Sequence, residues 1–293
     1  GMQPVGFSST FTEGDAPVAV IDADVSIADI DSTTLTSSGM IGSFNGIADG
    51  ANEIWTIGGA SFPMDGVAKI ETVTVGGTTF DIETDGTDLS ISVTAGTGAI
   101  ADFEALFASM TYENMSENPT AGDRSFTLIV QDDLGAASNQ ATAVVTVVPV
   151  NDAPVIDLDA DDSSGVGGDE HFLAYTEGDG VQPIVGADVA ISDVDDTHLT
   201  SVGLHGVING VQDGSDEVFI FGGERFQIGE PDRTETVTFG SSQFEVSIEN
   251  GNEFSFGIVG GSAPIADVEA FLASFAYENT SQNPTAGDRT LEI

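Results

Sequence analysis

The chain repeats itself. "FTEGD" from Phe11 returns as "YTEGD" from Tyr175, and "IADIDSTTLTSSGM" from Ile27 returns as "ISDVDDTHLTSVGL" from Ile191, both at an offset of 164 residues. The register continues through "NGIADGANEI" from Asn45 and "NGVQDGSDEV" from Asn209. It gains one residue near "IENGNEF" and resumes at 165 with "YENMSENPTAGDR" from Tyr112 against "YENTSQNPTAGDR" from Tyr277. Two copies of one hydrophobic pattern require two copies of one domain. Residues 1–149 are expected to be the first repeat and residues 150–293 the second. The second is expected to be C-terminally truncated and to lack its last strands. Ile293 aligns with Leu128, and nothing follows that corresponds to "IVQDDLGAASNQATAVVTVV", residues 129–148. The first has no counterpart of the acidic lead-in "NDAPVIDLDADDSSGVGGDEHFLA", so the stretch reads as an excerpt of a longer array.

Each copy has the texture of strands and tight turns. "VTVGGTTFDIE" alternates around Gly76-Gly77, "FIFGGERFQI" turns at Gly222-Gly223, and "ATAVVTVV" is a β-branched run, which together predict an all-β domain. One exception recurs in both copies. "IADFEALFASM" (Ile100 to Met110) and "IADVEAFLASF" (Ile265 to Phe275) carry apolar residues at helical spacing. Each domain is therefore expected to hold one short helix, its face of Phe103, Leu106, Phe107 and Met110 on the core and Asp102 as N-cap.

Charge narrows the partners. Five Lys plus Arg against 49 Asp plus Glu give a net charge of −44, which excludes nucleic acid and anionic membrane surfaces as natural partners, because phosphates would be repelled. Cations are the electrostatic expectation. With no cysteine, neither disulfides nor thiolate metal sites are available, whereas oxygen ligands abound. No 18-residue apolar run and no signal-peptide pattern are present, so no membrane insertion is expected of these residues.

"SFTLIVQDDLGAASNQATAVVTVVPVNDAPV", from Ser125, resembles the last two strands and the Asn-Asp-x-Pro linker of a cadherin repeat. "TEGD" resembles the cadherin base glutamate, and "DID" and "DVD" resemble its Asp-x-Asp. In this order, in both copies, the motifs resemble the cadherin-like tandem repeats of large bacterial surface and secreted adhesins of the type I secretion kind. That resemblance implies two tandem Ig-like, cadherin-type β-sandwiches and calcium as the cofactor, since Ca²⁺ takes six to eight oxygens and an Asp-x-Asp on irregular backbone brings two carboxylates to one ion. Carried over, it assigns Glu13 to the base of the first domain, Asn151 and Asp152 to the linker, and Asp193 with Asp195 to the top of the second. It assigns Asp29 and Asp31, with Asp132 or Asp133, to the top of the first domain, and Glu177 to a following domain. Calcium would then stiffen the domain junction.

Two departures weaken the set. Ser125 and Thr290 stand where the family's Asp-Arg-Glu has its glutamate, and "VNDAP" is one acid short, so fewer or weaker ions are expected. The competing reading makes these aspartates plain turn residues, which Asp favours through its own backbone bonds. "DLDADD" offers Asp157, Asp159 and Asp161 at the one-three-five spacing of an EF-hand, but Asp162 stands where the loop needs Gly and Gly168 where it needs Glu. An acidic strand-to-loop segment is expected there. Arg124 and Arg289, the only basic pair at equivalent repeat positions, are expected to be structural, held by a carboxylate such as Glu113 or Glu278 and pinning the "NPTAGDR" loop.

His171, His198 and His205 have no repeat counterparts and no Cys companions, so no zinc site is expected. No catalytic constellation stands out, and Trp55, matched by Phe219, suits packing better than a sugar platform. The functional expectation is a calcium-binding structural or adhesive repeat of an extracellular, cell-surface or secreted adhesin, not an enzyme. Its partners would be a surface receptor, a glycan or like repeats, besides neighbouring repeats of its own chain. The alternative is a carbohydrate- or protein-binding module of a secreted protein.

Overall fold

A strand signal that alternates apolar and polar residues requires each strand to bury one face, and the computed structural model shows where those faces go. It describes residues 6–35, 40–132, 134–200 and 204–292. The chain divides into two units after Asn151, two residues beyond the boundary expected from the sequence.

Unit 1 contains β1 (Phe7–Thr12), β2 (Val18–Ala19), β3 (Met40–Asn45), β4 (Glu53–Ile57), β5 (Ala60–Pro63), β6 (Lys69–Val75), β7 (Thr78–Thr84), β8 (Asp88–Ala95), α1 (Ile100–Ala108), β9 (Thr111–Asn114), β10 (Gly122–Ile129) and β11 (Ala141–Val148). One sheet runs β1-β11-β10-β3-β8-β7-β6 and a second β2-β9-β4-β5. All these pairs are antiparallel except β1 with β11, which is parallel. The core draws Phe44, Phe80 and Phe126 from the first sheet, Trp55, Phe62 and Tyr112 from the second, and Phe103, Leu106 and Phe107 from α1. Trp55 is fully buried, packed against Phe44 and Tyr112.

Unit 2 repeats this plan with β12 (Val155–Asp157), β13 (Gln182–Pro183), β14 (Ala190–Ser192), β15 (His198–Thr200), β16 (Leu204–Asn209), β17 (Glu217–Phe221), β18 (Glu224–Gln227), β19 (Arg233–Phe239), β20 (Ser242–Glu249), β21 (Glu253–Val259), β22 (Ser262–Pro264), α2 (Ile265–Leu272), β23 (Ala276–Asn279) and β24 (Thr290–Glu292). Its larger sheet is β19-β20-β21-β16-β24, and β13-β23-β17-β18 matches the smaller sheet of unit 1. Two pairs, β12 with β14 and β15 with β22, stand apart. Residues 171–176, which align with β1, form no strand. Among the described residues both units are thus all-β apart from one α-helix and one short 3-10 turn each.

The turns are where the glycines sit. Gly222 and Gly223 join β17 to β18 with φ of 63° and 87°, the left-handed region that a two-residue hairpin of the I′ kind demands at both positions. Gly76 opens the β6–β7 turn at φ 59°. The expectation that Asp102 caps α1 is corrected. The helix starts at Ile100 behind Ala99, which makes no side-chain cap, so Asp102 lies in the first turn. From there its Oδ2 accepts from Gly77 N (3.1 Å) and Thr78 Oγ1 (2.7 Å), tying the helix to the β6–β7 hairpin. Asp267 does the same for Ser241 and Ser242 in unit 2.

Candidate functional site

Alternation along β4 puts Glu53 on the same face as Trp55 and Ile57, so a carboxylate enters the core and must be given partners there. Glu53 has no exposed surface. Its Oε1 accepts from the backbone N–H groups of Ala48 (2.7 Å) and Asp49 (2.9 Å), and its Oε2 from the Tyr112 hydroxyl (3.1 Å). Arg124 Nε donates to both oxygens at 3.1 and 3.0 Å. The same guanidinium reaches Asp49 Oδ2 (3.1 Å) and the Thr120 carbonyl (2.8 Å), while Asp49 accepts from Thr120 and Asn114. Burial alone would raise the Asp49 carboxyl, but the bonds from Thr120 and Asn114, with Arg124 beside them, hold it below the usual range. Unit 2 rebuilds the set as Arg289, Glu217, Asp213, Tyr277 and Asn279.

The partners of the two arginines therefore differ from the sequence expectation. Glu113 and Glu278 lie on the opposite strand face, and Glu278 instead pairs with Arg225. Arg124 and Arg289 do grip the "NPTAGDR" loop, through the carbonyls of Thr120 and Thr285.

The acidic loops of each unit supply the candidate metal ligands. In unit 1, Asp29 Oδ1 accepts from the backbone N–H of Asp31 and of Ser32, both at 3.1 Å, an Asx turn. Those bonds, the Asp31 backbone N–H first, hold the Asp29 carboxyl below the usual range. Asp31 moves the opposite way, its carboxyl pushed up by the adjoining Asp29 carboxylate and further by Asp132. Asp132 shapes its own turn, its Oδ1 accepting from Leu134 N (2.9 Å) and Ala136 N (2.8 Å), and Asp133 lies outside the described residues. Glu13 Oε2 accepts from Val150 N at 2.8 Å, and Asn151 ends the unit.

Unit 2 copies the Asx turn. Asp193 Oδ1 accepts from Asp195 N and Asp196 N at 2.9 Å, and Asp195 Oδ2 accepts from Asp152 N at 2.6 Å. Glu177 is exposed in the "TEGD" turn. Of the residues expected from the sequence, Asp31 thus lies close enough to feel both Asp29 and Asp132, and Asp152, Asp193 and Asp195 lie along one hydrogen-bonded run.

One group it missed. Asp159, Asp161 and Asp188 place carboxylate oxygens within 4.8 Å of one another. Asp159 has no exposed surface, and bonds from Ser164 and then Ser163 hold its carboxyl below the usual range against the effect of burial. Asp188 arrives because β12 pairs with β14 and brings the loop before β14 alongside the "DLDADD" turn, where its Oδ2 accepts from Asp161 N at 2.8 Å. Gly186 leaves the room: a Cβ there would stand 2.6 Å from Asp188 Oδ1 and 2.7 Å from the Leu158 carbonyl. The visible signal was the one-three-five spacing; the third ligand comes from another loop.

An ion with Ca–O distances of about 2.4 Å spans oxygens up to about 4.8 Å apart, and an all-carboxylate set is the donor chemistry of a hard cation. The residues present fit calcium. No helix among the described residues is long and apolar enough to cross a membrane. No family model matches the chain, and no curated protein does. Among solved structures, a chain from one described as "Chaperone-tip adhesin complex is vital for synergistic activation of CFA/I fimbriae biogenesis" aligns at 13% identity over 99% of this chain and 95% of that one. Its TM-score is 0.24, at which level the likeness carries no argument.

Proposed function

We propose that this chain is a calcium-binding structural or adhesive segment, two Ig-like repeats of the cadherin kind, from an extracellular bacterial adhesin. The observation that carries it is the Asp159, Asp161 and Asp188 group, three carboxylates whose oxygens lie within 4.8 Å in a chain with 49 acids and five bases. Like charges at that spacing repel unless a cation joins them, and among the described residues the basic group that pairs with them is His171, 3.8 Å from Asp159. Asp31, pushed up between Asp29 and Asp132, supports the same reading in unit 1. When bound, calcium would replace this repulsion by shared coordination and fasten each loop to its sheet.

The function is mechanical rather than chemical. A repeat that folds firmly only outside the cell, where calcium is millimolar, suits a secreted stalk, and the sequence expectation that calcium also stiffens the linker belongs to this proposal. The test is calorimetry of the whole chain in EDTA and in calcium. At a calcium concentration of about 100 Kd, a native-state ligand stabilises by about 2.7 kcal/mol, which for units of this size raises Tm by roughly 5–10 °C. Asp159→Asn with Asp188→Asn should remove the rise in unit 2, and small-angle scattering should show a stiffer particle in calcium. Superimposable melting curves in EDTA and calcium would end the proposal.

A further inference from the structure

The Asp159, Asp161 and Asp188 group is assembled by a very small piece of sheet. β12 and β14 pair as Val155 opposite Ser192, Ile156 opposite Ile191 and Asp157 opposite Ala190, and the pair joins neither of the larger sheets of unit 2. Asp159 stands two residues beyond β12 and Asp188 two residues before β14, so the register of this pair sets where the two carboxylates meet. A slip of one residue would move Asp188 by about 3.3 Å relative to Asp159, more than a Ca–O bond of about 2.4 Å, and the group would no longer converge. Two short strands on their own are marginal in water, so β14 needs a further hold.

That hold comes from the helix. Glu269 Oε1 accepts from Ile191 N, the middle residue of β14, at 2.8 Å. Helix α2 is itself fixed, by Val268, Phe271 and Leu272 in the core and by Asp267 on the β19–β20 hairpin, so the carboxylate is delivered from a rigid element. Unit 1 makes the same bond, Glu104 Oε1 accepting from Ile27 N at 2.8 Å, and these two are the repeat counterparts of Glu269 and Ile191. In both units the bonded residue lies two before the first aspartate of the Asp-x-Asp. A second observation marks the acidic group as a place that receives a ligand. Ser164 Oγ and His171 Nδ1 are buried there with no hydrogen-bond partner, although Ser164 N bonds Asp159 Oδ2 at 2.8 Å.

We propose that Glu269 is the positioning residue of this calcium site, acting through Ile191 to hold β14, and with it Asp188, in register with Asp159 and Asp161. The inference rests on the calcium reading of that group. The carboxylate serves a backbone N–H, so its oxygen matters and its charge does not. The far end of the pair feels the same hold: Asp193 follows β14 directly, and Asp195 Oδ2 accepts from Asp152 N at 2.6 Å. One glutamate on the helix therefore sets the backbone between two acidic turns.

The whole chain is titrated with calcium chloride while hydrogen exchange is followed in peptides covering 157–165, so that the midpoint reports this group and not unit 1. Glu269→Ala should raise the calcium midpoint by about tenfold or more, the loss typical when a group that orients a metal ligand is removed. Glu269→Met, which keeps the bulk of the side chain without its acceptor, should do the same and serves if the alanine variant folds poorly. Glu269→Gln keeps an Oε1 for Ile191 N and should stay close to the parent midpoint. Glu104→Ala, in unit 1, should leave the 157–165 midpoint where it was. A midpoint unmoved by both Glu269→Ala and Glu269→Met, or moved as far by Glu269→Gln, overturns the proposal while the calcium reading stands. A shift from Glu104→Ala as large as that from Glu269→Ala overturns it too, as general destabilisation. A parent chain whose exchange at 157–165 ignores calcium overturns the calcium reading itself, and the proposal with it.

Discussion

Arg124→Met isolates the buried ion network. The methionine keeps most of the apolar stem and removes the guanidinium, whose side chain is 2% exposed and which bonds Glu53, Asp49 and the Thr120 carbonyl. Glu53, with no exposed surface, would keep three donors, from Ala48 N, Asp49 N and the Tyr112 hydroxyl, but would lose its only counter-charge. Removing one partner of a buried pair costs about 3–5 kcal/mol, because the charge left behind stays desolvated. For a unit of this size each kcal/mol moves Tm by roughly 2–4 °C, so the unit 1 transition should fall by about 10 °C. Arg289→Met should fall by about half of that, since Arg289 is 12% exposed and lies beside the short β24. Adding Glu53→Gln to Arg124→Met should recover part of the loss, as the fully buried carboxylate is then neutral and only Asp49, 9% exposed, is left without the guanidinium. Calorimetry of the full chain separates the two units, and hydrogen exchange over 116–124 reports the loop. If Arg124→Met melts within about 2 °C of the parent, the network does not hold the loop and the reasoning fails.

Acid should act through the same networks. Asp49, Asp213 and Glu217 titrate below the usual carboxylate range in the folded chain, so their stabilisation is complete above the unfolded value near pH 4 and is lost as pH falls through the lowered folded values. In about 0.5 M salt, which screens the general repulsion, Tm should stay level from pH 7 to 5 and drop below about pH 4; a Tm that climbs steadily into acid would contradict this. Asp31→Asn should have opposite effects in two buffers. A carboxyl raised by Asp29 and Asp132 opposes folding at neutral pH, so the amide raises the unit 1 Tm in EDTA and shrinks the rise that calcium brings; a parallel shift in both buffers would remove Asp31 from the site. Gly222→Ala should cost more than Gly223→Ala, about 2 kcal/mol against about 1, because both have positive φ but only Gly222 would press a Cβ onto Val237, at 2.7 Å.

What could be read from the sequence, and what could not, follows from the range of each interaction. The repeat fixes the number of units, and short-range chemistry fixes the glycine turns and the buried face of α1, because those depend on residues within a few positions of one another. The arginine partners show the next distance out. Glu113 sits between Tyr112 and Asn114, both inward, so strand alternation already turns it away from them, while Glu53 shares the parity of Trp55. Glu53 and Asp49 also recur as Glu217 and Asp213, so the signal is present in the repeat, although Glu53 lies 71 residues from Arg124 and outside its loop. Asp102 lost its expected role for a different reason: the helix begins two residues earlier, and from its first turn the carboxylate reaches the hairpin glycine. Asp188 was invisible because its approach to Asp159 is made by the β12–β14 pairing, which no local spacing encodes.

The two readings of the loop aspartates, turn residue and calcium ligand, do not exclude each other. A carboxylate has two oxygens, and the Asx turns use one: Asp29, Asp132 and Asp193 each accept their backbone N–H groups on Oδ1. The turn orients the side chain through that one oxygen. An aspartate already ordered by its own backbone loses less conformational entropy on binding an ion than one that must be fixed from solution. In a chain with 49 acids and five bases, two of them committed to buried networks, self-neutralisation is arithmetically impossible. The Asx geometry supplies partial positive charge from backbone N–H groups to one oxygen of each carboxylate. A loop can then be well formed by its turn bonds and still become more stable when a divalent ion arrives. The critical comparison is therefore between Asp29→Asn and Asp31→Asn. The amide at 29 keeps the oxygen that the turn needs and loses charge, whereas the amide at 31 relieves the repulsion directly, so only a calcium role makes both lose the calcium-dependent rise while the turn persists.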